Sequence, residues 1–136
     1  VTIDQAGIEF IKEFEGCVLH VYNDVAGKPT IGIGHLIRPD EDFSAGITQE
    51  QAESLLFDDM ERFENAVNNL APNCNQNQFN ALCSFAFNLG TGSLATMLAH
   101  GWDEVPERIL DWDHSGGVKV KGLTRRREAE SALFTS

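Results

Sequence analysis

The stretch NQNQFNALCSFAFNLG, residues 75–90, constrains the fold more than any other part of the chain. Phe79, Leu82, Cys83, Phe85, Ala86 and Leu89 recur at helical intervals, and Gly90 stops the run. Such a helix is apolar around too much of its circumference to lie on a surface, so other elements must enclose it. A chain of 136 residues can supply that enclosure in one domain, without disulfides or metals to hold it together. The 42% apolar and 23% charged fractions are those of a globular protein. No apolar run approaches the roughly 18 residues that span a bilayer, so no stable membrane insertion is expected of the chain as given.

The enclosing elements are mostly helical. DQAGIEFIKEFEG places Ile8, Phe10, Ile11 and Phe14 on one arc with Glu9, Lys12 and Glu13 opposite, and Gly16 follows as a stop. Thr48 and Gln51 have the spacing of a capping box, with Ile47 just before the cap. A long helix is expected over Gln49–Leu70, ending before Pro72. Shorter helices are expected at about 93–99 and 103–112, divided by Gly101; SGGVKVKG reads as a loose hairpin, and Thr124 as the cap of a last helix through Phe134. No internal repeat or linker interrupts the chain.

One small sheet interrupts this pattern. Residues 17–22 are β-branched, aromatic or apolar, and the turn-rich NDVAGKP leads into TIGIGH, which suggests a hairpin. On a single strand Thr30, Gly32 and Gly34 would share one face, and Ile31, Ile33 and His35 the other. The isoleucines would then face the core, and the bare face would form a shallow floor over which a flat ligand such as a sugar ring can pass.

A net charge of −11 argues against nucleic-acid partners, which require a dense Lys/Arg surface. Ten basic residues remain, three of them consecutive at Arg125, Arg126 and Arg127. Cys17, Cys74 and Cys83 are odd in number and lack zinc-site spacing, so free thiols are expected, with Cys83 as core packing. His20, His100 and His114 form no metal spacing with Asp or Glu; no metal or other cofactor is expected. The chain starts at Val1 rather than Met, which is compatible with a removed export segment.

Glu15 falls on the apolar arc of the first helix, at its C-terminal end. Partial desolvation and the negative end of the helix both disfavour its ionised form, which suits a general acid. Asp24 lies in the turn and Thr30 begins the second strand, so a hairpin would bring them together at one end of the sheet. Taken singly, each has an ordinary reading: a glutamate reaching water, an aspartate shaping a turn, glycines marking a bulge.

Together, FEG, YND and PTIGIGH, with Glu15, then Asp24 nine residues later and Thr30 six after that, closely resemble the phage-type lysozymes, or muramidases. ITQEQAESLL is similar to that family's long connecting helix, NQFNALCSFAFNLG to its buried central helix and GLTRRREAESALF to its closing segment. The resemblance implies an α+β, mostly helical, lysozyme-like fold. It would have an N-terminal β-containing lobe at about 14–47, a connecting helix at about 49–70 and a helical lobe at about 71–136 packed with a helix at 4–14, with a cleft between the lobes.

It further implies hydrolysis of the β-1,4 bond between N-acetylmuramic acid and N-acetylglucosamine in peptidoglycan. Glu15 would be the general acid, Asp24 the opposing carboxylate and Thr30 the residue that positions water, an arrangement that the resemblance favours as inverting. Gly32, Gly34, Phe87 and Asn88 would border substrate, although Phe87 is equally compatible with the core. An arginine of the late helix would face Glu15 and lower its pKa, so the net shift cannot be signed; Arg126 fits best and Arg125 next. His35 on the isoleucine face would pair with Asp59 for stability. The resemblance also implies a monomeric endolysin made in a bacterial host cytoplasm and acting on the wall. Two alternatives stay open: a non-catalytic wall-binding module of the same fold, and a glycosidase of chitin-like polymers. The acidic charge departs from the many basic members of the family and should repel an anionic wall at long range.

Overall fold

A computed structural model describes residues 1–136. Six α-helices run in chain order as α1 (Gln5–Glu15), α2 (Gln49–Leu70), α3 (Gln76–Leu89), α4 (Thr91–Leu98), α5 (Val105–Ile109) and α6 (Lys121–Thr135). Strands β1 (Val18–Asn23), β2 (Pro29–Gly32) and β3 (His35–Leu36) form an antiparallel sheet in that order, and β4 (His114–Ser115) pairs with β5 (Val118–Lys119). The chain divides into two compact units, one of Ile8–Glu61 and the other of Val1–Gly7 with Arg62–Ser136. The first residues of α1 fall in the larger unit and the rest, from Ile8, in the unit of the sheet.

Side-chain chemistry at the ends sets the two longest helices. Thr48 Oγ1 accepts from the Gln51 backbone at 3.1 Å while Gln51 Oε1 accepts from Thr48 N at 2.8 Å, so two otherwise orphaned donors at the start of α2 are satisfied reciprocally. Ala52, Leu56, Met60, Phe63 and Val67 are its buried positions, spaced three or four residues apart. Asn75 and Gln78 make the same reciprocal cap at the start of α3.

Residues Phe79 through Ala86 are all buried, which makes α3 the centre of the larger unit, packed on α4 and α6. Each fully buried phenylalanine there contributes roughly 1.5–3 kcal/mol of apolar burial. Cys83 belongs to this core, and burial together with the charge of Glu64 pushes its thiol pKa far up. Cys17 and Cys74 are free thiols.

Two local expectations are corrected. TIGIGH is not one strand: β2 ends at Gly32, the chain reverses through Ile33 and Gly34, and β3 pairs back with Ile31 opposite His35. Gly32 lies on no open floor, because a Cβ there would sit 3.3 Å from Ala52 Cβ on α2 and 3.4 Å from Ile47 Cδ1. The bare face admits the fold's own helix. Ile31 and Ile33 are buried as expected.

The second correction concerns Thr124, which lies inside α6 rather than at its cap. Its hydroxyl donates to Asp113 Oδ2 at 2.8 Å, and Val120 N bonds Asp113 O at 2.9 Å. Asp113 thus ties the β4–β5 hairpin to the helix, which starts at Lys121.

Candidate active site

Glu15, Asp24 and Thr30 all belong to the unit of Ile8–Glu61. Glu15 is the last residue of α1 and is half-buried; Gly16 N closes the helix on Lys12 O at 2.8 Å. The β1–β2 hairpin places Tyr22 opposite Thr30 and Asn23 opposite Pro29, so Asp24 begins the connecting loop. Within that loop Asp24 Oδ1 accepts from Ala26 N at 2.9 Å and Lys28 N at 2.8 Å, a turn in which a side chain replaces backbone acceptors. Thr30 is buried, and its hydroxyl donates to Lys28 O at 2.9 Å. The carboxylate and the hydroxyl are therefore fastened to the N–H and C=O of one residue, Lys28.

These bonds limit what each group can do. With Asp24 Oδ1 holding the loop, Oδ2 is the oxygen left to act on a ligand. A hydroxyl has one proton, and that of Thr30 is used on Lys28 O, so Thr30 meets any water as an acceptor.

Sequence reasoning assigned Tyr22 no role, yet its phenol pKa is pushed above the ordinary value by burial and by the negative charges of Glu15 and Asp24. Both carboxylates thus act on one phenol. The available signal was its place on the strand two residues before Asp24.

His35 Nδ1 pairs with Asp59 Oδ2 at 2.7 Å, and Nε2 with Glu41 at 3.0 and 3.1 Å. Asp59 was expected; Glu41 was missed, because it lies in the loop RPDEDFSAG, where nothing fixes side-chain direction. Burial opposes charge on the imidazole, but the bonds and charges of both carboxylates outweigh it and raise the His35 pKa.

The remaining predicted residues belong to the larger unit. Phe87 is half-buried and edge-on to Phe63, with 5.5 Å between ring centroids. Arg125 is exposed, whereas Arg126 is buried, with Nε 3.3 Å from Glu130 Oε2 and Nη2 donating to Ser84 O at 3.1 Å and Oγ at 3.2 Å. Arg127, which sequence reasoning left without a role, is fully buried; its Nη2 donates to Asn88 Oδ1 at 2.8 Å.

Comparison with known proteins gives a consistent pattern. The family model described as phage lysozyme matches residues 12–130. The endolysin of Salmonella phage P22 is 37% identical over 146 residues, covering 100% of this chain and 99% of that protein. The endolysin of Bacillus phage B103 is 40% identical over 98% of this chain, which spans only 54% of that longer protein. Among solved structures, the muramidase domain of SpmX from Asticaccaulis excentricus has a TM-score of 0.87 at 33% identity, covering 99% of this chain and 98% of that one.

Proposed function

Because the chain belongs to the phage lysozyme family, we propose that it is a muramidase, cleaving the β-1,4 bond between N-acetylmuramic acid and N-acetylglucosamine in bacterial peptidoglycan. Glu15 protonates the leaving oxygen. Asp24, through Oδ2, stabilises the positive charge that develops on the sugar ring as the bond breaks. Thr30 accepts a hydrogen bond from the attacking water and orients its lone pair toward the anomeric carbon, while Asp24 takes the proton that the water loses, an arrangement that favours inversion. The observation that carries this reading is the family match over residues 12–130, a span that includes Glu15, Asp24 and Thr30, all three in one compact unit. Fastening of Asp24 and Thr30 to Lys28 supports it, because a fixed carboxylate and a fixed acceptor need no reorganisation as charge develops.

Digestion of purified peptidoglycan, followed by mass analysis of the fragments, tests the proposal. New reducing ends at muramic acid are expected from the parent. Glu15→Gln keeps the side chain's shape but supplies no carboxylic proton, so release should fall by about 10²–10⁴-fold or more. Equal release by both proteins removes Glu15 from the mechanism. Binding without release by either points to a wall-binding module of the same fold.

A further inference from the structure

We infer that buried Arg127 holds the side-chain amide of Asn88 in one orientation, carbonyl oxygen inward, so that Asn88 meets the wall polymer as a hydrogen-bond donor to an acceptor oxygen. The inference rests on the muramidase reading and on Asn88 of α3 as a substrate contact. Its physical basis is the donor inventory: a guanidinium carries only N–H groups. Arg127 Nη2 lies 2.8 Å from the Asn88 amide, so the atom it meets must be Oδ1; turning the amide over would set donor against donor. Both N–H groups of Nδ2 then point away from the guanidinium, on a residue that is half-buried rather than enclosed.

Arg127 is itself held firmly enough to impose this choice. Glu130 grips it by a hydrogen bond from Nη2 to Oε2 at 3.0 Å and by an ion pair with Nε 2.6 Å from Oε1. Ser84 Oγ donates to Glu130 Oε2 at 2.6 Å and fixes the carboxylate in turn. The Phe85 ring lies under the guanidinium, 5.2 Å from its centroid. An asparagine without this support could rotate its amide and serve as either donor or acceptor. Held here, it selects ligand oxygens such as the carbonyl of an N-acetyl group, and it leaves a ligand N–H or O–H proton without a partner.

Cosedimentation with purified peptidoglycan reads the contact directly. Asn88→Asp keeps the shape and gains an ion pair with Arg127, so its melting temperature should match or exceed the parent's; its two acceptors should nevertheless weaken binding by about tenfold or more, since a lost polar contact leaves its partner unpaired. Arg127→Lys retains a charge for Glu130 and should weaken binding in the parent background but add nothing to Asn88→Ala, as expected of a residue acting through another. Parental affinity in Asn88→Asp, or additive losses for Arg127→Lys and Asn88→Ala, overturns the inference. Absence of fragment release by a parent that binds overturns the muramidase reading instead, and the two failures are therefore separable.

Discussion

Gly34 is the second residue of the two-residue turn joining β2 to β3, and its φ is +69°. In this left-handed region a Cβ crowds the following carbonyl, at a cost of roughly 1–2 kcal/mol. The neighbouring Gly32 has φ +68° and is packed against Ala52, so the backbone favours glycine at both positions. The alternation in TIGIGH suggested a different origin, a face cleared for a sugar, under which a side chain at Gly34 would harm binding more than folding. The turn reverses that expectation: Gly34→Ala should lower unfolding stability by about 1–2 kcal/mol, read from the urea midpoint. An unchanged midpoint with weakened peptidoglycan binding would restore the cleared-face account. Period-two alternation could not reveal the turn, because glycine fits a strand pattern and a reversal equally well.

At the scale of elements, His35 clasps β3 to α2 through Asp59 and to the loop after β3 through Glu41. Its raised pKa means that the folded state holds the proton more tightly than the unfolded chain. This contribution to stability is fully present below the unfolded imidazole value, near 6.5, and is lost as pH rises through the higher folded one. Glu41 is the mirror case. Burial alone would raise its pKa, but bonds from Arg38 N and His35 bring it below the ordinary value. Its contribution is present above the unfolded carboxylate pKa and is lost as pH falls through the lower folded one. The melting temperature should therefore peak between the two titrations. Asp59→Asn should flatten the alkaline limb and cost about 1.5–3 kcal/mol, the range for a hydrogen bond to a charged group; an unchanged melting profile would show the clasp to be idle. The legible elements were those whose signals are local: α2 has its cap box at Thr48 and Gln51 and its stop before Pro72. Contacts such as His35–Glu41 and Arg127–Asn88 join segments whose relative placement is set only by packing, and they carry no mark in the local pattern. The start of α6 eluded sequence reasoning for the same reason, since Asp113 takes the Thr124 hydroxyl that was assigned to a cap.

For the whole molecule the governing quantity is a net charge of −11, with a sequence pI near 4.6. A muramidase must approach a wall rich in carboxylates and phosphates, and like charges reduce the encounter rate at long range. The range is set by salt: about 30 Å at 0.01 M ionic strength and about 8 Å at 0.15 M. Contacts formed at the site lie well inside either distance, so added salt should relieve the repulsion while leaving the chemistry largely intact. Initial rates on intact cell walls at fixed pH should therefore rise by a few-fold between those two ionic strengths, the reverse of the response expected of a strongly basic enzyme. An uncharged N-acetylglucosamine oligomer provides the control, because its binding should hardly respond to salt. A wall rate that falls steadily with salt would mean that a local basic surface, with Lys119, Lys121 and Arg125 near the start of α6 as the first candidates, outweighs the net charge during approach. Charge reversal at Lys121 would then be expected to slow association with the wall while leaving binding of the neutral oligomer unchanged.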